Sequence, residues 1–318
     1  MNDDCANRKF LFEIRDLQIR PFNGKIISNM KRLLLFLFIM ISFAVFASAQ
    51  QRPLLTEDVD TTPEGAVRIA AGVDFLQNVK YPLSGLKGDQ TSVGDIRISV
   101  GFSKNVEFQI EGVVQNFVAI NSATDPAPIP LDIAGNSTND SGDFIISTKI
   151  KLRNETKNLP AFGFKVGFQM PNTNQARGIG TNQINVFGKV LVQKRFGSRD
   201  KNNTARVNMF GNIGLGIMTS PLERFSQNDV LLYGLAGIYR VNDRINVVSE
   251  VNGRVSTRSG DAPLGTESIG QFRVGTQIRA SGLKFDTAAI FGLTKFSPRT
   301  GITFGITYES PSIFTPAQ

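Results

Sequence analysis

FGFKVGFQM, at residues 162–170, carries the clearest structural signal in the chain. Apolar side chains occupy every second position of this stretch, and glycine, lysine and glutamine stand between them. Because successive side chains of a β-strand point to opposite faces of the sheet, this period of two predicts a strand. One face of that strand is apolar, and the other is polar enough to hold a lysine.

Eleven further stretches repeat the alternation, and clusters of Gly, Asn, Asp, Ser and Pro separate them. The twelve predicted strands lie at residues 66–77, 95–102, 106–117, 143–152, 162–170, 184–192, 207–217, 230–239, 245–255, 272–278, 283–293 and 302–308. The eighth stretch, 230–239, is apolar in both phases, so no facing is assigned to it.

The connections between these strands alternate in length, with short ones such as 103–105 and 281–282 and longer polar ones such as 118–142 and 172–182. Short turns at one rim and long loops at the other are typical of outer-membrane barrels. Charged residues inside the strands are poor core material for a soluble sandwich but suit a wet lumen. The sequence therefore predicts an all-β fold, a twelve-stranded up-and-down antiparallel transmembrane β-barrel.

The N-terminus predicts export. A basic head at residues 30–32 precedes an apolar run at 33–46 and the sequence Ala-Ser-Ala at 47–49, which together make a signal peptide cleaved between Ala49 and Gln50. Residues 1–29 are interpreted as an upstream extension from a misassigned start, or else as a long basic n-region.

The mature chain is divided into a periplasmic N-terminal segment (50–64), the barrel (65–308) and a short C-terminal tail (309–318). Insertion of the segment 50–64 into the lumen as a plug is an alternative for which the sequence carries no signal.

Composition excludes several function classes. The chain has no histidine, which removes the usual Ser-His and Asp-His catalytic schemes and the commonest metal ligand. Its net charge of +8 is scattered and forms no block of Lys and Arg, so nucleic acid is not expected as a partner. We therefore expect no enzyme activity, no catalytic residues, no cofactor and no metal site.

The polar positions of the strands predict which side chains line the lumen. The candidates are Arg68, Arg97, Glu107, Glu111, Lys149, Lys165, Lys189, Arg206, Glu250 and Arg273. Lys149, Lys165 and Lys189 face inward on three consecutive strands and could form a basic ladder that favours anions. The alternative is a lumen balanced by the carboxylates of Asp143, Glu107, Glu111 and Glu250.

The last predicted strand also carries a partial assembly signal of outer-membrane barrels. The spacing of Gly301, Phe304, Ile306 and Tyr308 resembles that signal, although ten more residues follow Tyr308. The barrel-assembly machinery and periplasmic chaperones are therefore expected partners, together with outer-membrane lipid.

Two groups of landmarks resemble a known family over most of residues 57–308. The first group runs from Val93-Gly94-Asp95 to Glu107, Gln109 and Glu111, and the second runs from Ser141-Gly142-Asp143 through Lys149, Pro160, Gly163, Lys165 and Pro171 to Gly178, Gly180 and Thr181. This spacing resembles the outer-membrane transporters of the phenol-degradation MetA-pathway family. Where that family usually has Pro-Thr-Gly, this chain has Pro171-Asn172-Thr173.

The resemblance implies a barrel that passes small solutes, hydrophobic or aromatic compounds among them. From the strands and the resemblance together we expect a passive channel or transporter in the bacterial outer membrane. The alternative is a non-conducting barrel that serves as a structural anchor or adhesin.

Overall fold

A computed structural model describes residues 52–199, 205–222 and 226–314. The predicted signal peptide, its cleavage site at Ala49 and Gln50 and the upstream extension lie outside these residues. The strands are β1 (Val67–Tyr81), β2 (Leu86–Ser103), β3 (Val106–Ala123), β4 (Ser137–Asp140), β5 (Ile145–Arg153), β6 (Ala161–Gln169), β7 (Asn185–Arg199), β8 (Ala205–Thr219), β9 (Gln227–Arg240), β10 (Ile245–Ser256), β11 (Ile269–Ala280), β12 (Leu283–Gly292) and β13 (Thr300–Glu309).

Antiparallel pairing closes the sheet into a barrel. Each strand pairs with its sequence neighbour, and β1 also pairs with β13, with Gly72 opposite Gly305. The short β4 and the longer β5 both pair with β3, one above the other, and share a single position in the wall. The wall therefore has twelve positions, which confirms the predicted architecture. We call the rim where β1 begins and β13 ends the terminal rim, and the opposite one the loop rim.

The alternation of side chains appears in the barrel as two surfaces. On β6, Phe164, Val166 and Phe168 are exposed on the outer surface, while Lys165 between them is buried inside. Exposed apolar side chains recur around the barrel, for example Ile213, Leu235, Val274 and Ile302. In a closed barrel every strand finds hydrogen-bond partners within the sheet, so this apolar outer surface is suited to lipid.

Several strands are longer than the sequence prediction. The predicted connection 78–94 is largely a hairpin extension of β1 and β2, with its turn at Pro82–Gly85, and part of the predicted loop 118–142 forms the end of β3 and β4. These ends lack the apolar alternation because a membrane needs only about ten residues of each strand. Beyond that depth Val79, Leu86 and Ser92 are buried on one face of the hairpin, but Lys87, Asp89 and Thr91 occupy the alternate positions, so a prediction based on hydrophobic period misses it.

One short 3-10 helix, Gln175–Arg177, lies in the connection between β6 and β7. In the described parts of the chain, no helix has the length and apolar character to cross a membrane.

A charge placed on the outer surface should destabilise the barrel according to its depth. Ile213 is 58% exposed near the middle of β8, and Ile278 is 45% exposed near the end of β11. Ile213→Arg should lower the free energy of unfolding in lipid vesicles by roughly 2–4 kcal/mol, and the control Ile278→Arg by about 0–1 kcal/mol. Urea titration of vesicle-embedded protein measures both changes. Equal effects of the two substitutions would contradict the assignment of this surface to lipid.

Candidate functional site

The lumen is occupied by an N-terminal part of the chain. Residues 52–62, which we call the plug segment, are buried except for the exposed Leu55 and the half-buried Asp60 and Thr61. The segment is not a strand of the sheet, and its contacts with the wall reach strands all around the barrel. The prediction that residues 50–64 form a periplasmic segment is corrected by this placement. The reason is that its contacts are made with wall residues far away in sequence, for example 22 positions for Arg52 and Asp74 and 251 positions for Arg52 and Thr303, and local sequence patterns do not show such contacts.

Arg52 lies at one end of the plug segment among three carboxylates. Its guanidinium makes an ion pair with Asp95 on β2 and lies 3.7 Å from Asp74 on β1 and 3.6 Å from Asp286 on β12. It also donates a hydrogen bond to the hydroxyl of Thr303 at 3.0 Å. We call Asp74, Asp95 and Asp286 the acidic trio. Arg52 is therefore the cation that the plug segment supplies to the negative side of the lumen.

Glu57 lies among cations on the other side of the lumen. Its carboxylate is 2.8 Å from Lys165 Nζ, 3.6 Å from Lys149 Nζ and 3.5 Å from Arg97. We call Arg97, Lys149 and Lys165 the basic cluster. Burial opposes ionisation of Glu57, but these three cations more than offset it and hold the pKa of its carboxyl well below the usual range. Glu57 is therefore an anion at neutral pH.

Two further acidic residues bind the plug segment to the same side of the barrel. Asp58 lies 3.3 Å from Lys149 Nζ. Asp60 makes ion pairs with Arg195 on β7 and, at 3.2 Å, with Lys151 on β5. The plug segment and the lumen wall are thus complementary in charge at both ends of the segment.

Apolar contacts hold the plug segment between its charged positions. Leu54 is buried in a cluster with Phe210, Ala236, Ile238 and Val248. Ala236 and Ile238 belong to β9, the strand whose facing could not be assigned from sequence, and on it Leu231, Leu235 and Tyr239 face outward. Strand β9 is apolar on both faces because its inner face packs near Leu54 and its outer face lies toward lipid.

The structure brings most of the predicted lumen residues together around the plug segment. Opposite one another across strand pairs are Arg97 and Glu111, Glu107 and Lys149, Lys149 and Lys165, Lys165 and Lys189, and Glu250 and Arg273. The three lysines thus stand side by side as a ladder. Glu57 and Asp58 of the plug segment, with Glu107 and Glu111 of the wall, lie within 4 Å of two of them.

The remaining predicted lumen residues have different surroundings. Arg68 is buried beside Glu309, 2.7 Å away, at the terminal rim. Lys189 Nζ lies 5.1 Å from the ring centre of Phe187. Arg206 is placed differently from the prediction, since it is exposed and its guanidinium lies 5.4 Å from the ring of the outward-facing Tyr239. Arg206 is the second residue of β8 and lies at the rim of the barrel, so its side chain has room to turn outward.

Sequence reasoning missed the other half of the site. It did not name Arg52, Glu57, Asp58 and Asp60, nor the acidic trio as a group. A usable signal was present in the alternation, because Asp74, Asp95 and Asp286 occupy polar positions of the predicted strands. The residues of the assembly-signal resemblance lie on β13, where Phe304 and Ile306 are exposed on the outer surface and Gly301 packs against Leu76.

A cavity of about 280 Å³ lies at the loop rim. Ends of six strands line it, together with parts of the connections at residues 129, 178–181 and 265. Its charged lining residues are Lys80, Asp143, Arg254 and Glu267, and its apolar ones include Tyr81, Ile179 and Met218. We call this cavity the vestibule.

Comparison with known proteins gives a likeness of fold. No protein-family profile and no curated sequence matches the chain. The crystal structure of the COG4313 outer membrane channel from Pseudomonas putida F1 superposes with a TM-score of 0.54 at 15% identity, covering 80% of this chain and 97% of that one. The two chains share a barrel fold.

Two more distant structures are a NanC porin and the Ralstonia pickettii toluene transporter TbuX. The NanC porin has a TM-score of 0.45 at 7% identity and covers 77% of this chain and 98% of that one. The toluene transporter has a TM-score of 0.38 at 8% identity and covers 80% of this chain and 92% of that one. Membership of the phenol-degradation family remains a prediction.

The fit of the plug segment against the wall can be tested at Gly234 on β9. A Cβ atom there would lie 2.7 Å from the hydroxyl of Thr56, whereas a Cβ atom at Gly237 on the same strand would meet nothing within 4 Å. Overpacking costs about 1–3 kcal/mol, so Gly234→Ala should loosen the plug segment and Gly237→Ala should not.

The measurement is the rate at which a maleimide reagent labels the buried position 54 in a Leu54→Cys background. We expect labelling to be about fivefold faster, or more, with Gly234→Ala. Equal rates in the two alanine variants would show that Thr56 does not lie against this wall.

Proposed function

We propose that this protein is a channel of the bacterial outer membrane for small polar solutes, kept closed at rest by the plug segment. The observation that carries the proposal is the way in which the lumen is filled. A barrel with a purely mechanical role needs no removable filling, whereas here a segment outside the sheet contacts a charged and hydrogen-bonding wall. Displacing it would open a hydrated path without breaking any strand pairing.

The chemistry of the wall favours polar solutes over the hydrophobic or aromatic ones that the family resemblance implies. Buried Glu107, Gln109, Gln193, Gln277 and Glu250 face the lumen, and each is at most 2% exposed. The apolar lumen clusters are small, one around Leu54 and one formed by Val59 with Ala161 and Leu191. A hydrocarbon passing this wall would leave buried polar groups without hydrogen bonds, at a cost of about 1–3 kcal/mol each.

The same filled lumen also supports a second candidate, a non-conducting anchor or adhesin barrel. In that case the plug segment would be a permanent core. The two candidates differ in whether weakening the plug segment produces a conducting pore. Export through the predicted signal peptide and assembly by the barrel-assembly machinery are common to both proposals.

Neutralising Glu57 should open the channel. Glu57→Gln removes a carboxylate that lies within 4 Å of all three cations of the basic cluster, and removing one partner of a buried ion pair costs about 3–5 kcal/mol. We expect the open fraction of the channel to rise by about two orders of magnitude, unless it first reaches the limit at which the pore is always open. Single-channel recording in planar bilayers measures this change.

The matched control is Glu64→Gln, which neutralises an exposed carboxylate just outside the plug segment and should leave the recordings unchanged. Heat-modifiable migration on a gel verifies that each variant is folded. A folded Glu57→Gln variant that conducts no more than the unmodified protein would favour the anchor.

Cation passage through the opened channel should depend on pH through Asp143. Burial raises the pKa of this vestibule carboxyl to about 6, with a smaller contribution from Asp140. The carboxyl is therefore neutral below that pH and negative above it. In the Glu57→Gln background, the cation-to-anion permeability ratio should rise between pH 5 and pH 7.

Substituting Asp143→Asn should flatten this part of the pH profile. Asp132→Asn, which removes an exposed carboxylate outside the vestibule lining, should leave the profile in place. Reversal potentials under a salt gradient give the ratio. A profile unchanged by Asp143→Asn would exclude the vestibule from the conduction path.

A further inference from the structure

The lumen wall binds the main chain of the plug segment. Glu250 accepts hydrogen bonds from the backbone N–H groups of Leu55 and Thr56, each at 2.8 Å. Asn212 accepts a bond from the N–H of Glu57 at 2.7 Å and donates one to the carbonyl of the same residue at 2.8 Å. The reciprocal pair at Asn212 imitates the way one β-strand binds another.

The binding continues toward both ends of the segment. Gln193 accepts a bond from the N–H of Val59 at 2.9 Å, and Glu107 accepts one from the N–H of Thr62. At the other end, Gln277 donates to the carbonyl of Arg52 at 2.5 Å, and Arg273 donates to the carbonyl of Pro53 at 3.1 Å. Six wall side chains thus bind eight backbone groups, and these contacts would be available to a peptide of any sequence.

Selectivity enters through charge. Arg52 lies in the acidic trio and Glu57 in the basic cluster, five residues further along. Five residues of fully extended chain span roughly 16–18 Å. The wall therefore offers a negative region and a positive region at a fixed separation, with backbone-binding side chains between them.

The six wall side chains are all at most 8% exposed. When the plug segment leaves, these side chains lose their bonds to its backbone, the acidic trio loses Arg52, and the basic cluster loses Glu57 and Asp58 while Glu107 and Glu111 of the wall stay beside it. A solute that replaces the segment binds best when it supplies backbone N–H and C=O groups at peptide spacing and one charge of each sign.

We propose that the solutes of this channel are short extended peptides that carry a cationic residue and, about five positions toward their C-terminus, an acidic one. This inference rests on the proposed channel function and names its substrate class. The plug segment is in this view a tethered analogue of the solute, and the solute opens the channel by competing with it.

The test uses the full mature chain with Leu54→Cys and Gly234→Ala, reconstituted in lipid vesicles. The probe is the hexapeptide Arg-Ala-Ala-Ala-Ala-Glu with blocked termini, and the matched control is Gln-Ala-Ala-Ala-Ala-Gln. We expect the charged peptide to accelerate maleimide labelling of position 54 about tenfold more than the control at equal concentration. We also expect the labelled charged peptide to accumulate inside the vesicles faster than the control.

Other outcomes overturn the proposal in distinguishable ways. Faster labelling without uptake would mean that the lumen binds peptides only in the way it binds its own plug segment and does not transport them. Equal effects of both peptides and of a disaccharide would exclude peptides as the preferred class, while ion conductance in the Glu57→Gln variant would still support the channel. Absence of conductance in that variant would remove the channel function and this inference together.

Discussion

Lipid offers no hydrogen bonds to a polypeptide backbone, and the rest of this structure follows from that constraint. A sheet in lipid must close on itself, as it does through the pairing of β1 with β13. Closure at twelve wall positions encloses a space between that of eight-stranded barrels, which wall side chains fill, and that of the open porins. In this chain the space is occupied by a segment that lies outside the sheet.

The charges of the lumen are arranged for that occupant. The wall presents acidic residues on one side and basic residues on the other, and the plug segment supplies the opposite charge at each place. Buried charges of one sign are costly unless they are paired, so wall and segment depend on each other. The basic ladder and the balanced lumen, which sequence reasoning treated as alternatives, are both present. Lys149, Lys165 and Lys189 do form a ladder, and the carboxylates beside it are Glu57 and Asp58 of the plug segment together with Glu107 and Glu111 of the wall.

The barrel could be predicted from sequence because the alternation of environments is local. The polarity of Lys165 between the apolar Phe164 and Val166, for example, is enough to predict which side chain points into the lumen. The strand ends at residues 86–94 and 118–123 were missed because polar and small residues interrupt the apolar alternation there, and β9 was ambiguous because both of its faces are apolar. The plug segment was missed for a different reason. Its position depends on pairs such as Arg52 with Asp286 and Asp60 with Arg195, which are far apart in sequence.

Arg52 has a consequence for the integrity of the cylinder. Asp74 and Asp95 belong to the first two strands, whereas Asp286 and Thr303 belong to the last two. A single guanidinium therefore touches both sides of the seam at which the two ends of the sheet meet. The seam joins strands more than 200 residues apart, and it has no turn to hold its register. Arg52 links the two ends of the sheet there, so a residue of the plug segment also stabilises the closure of the barrel.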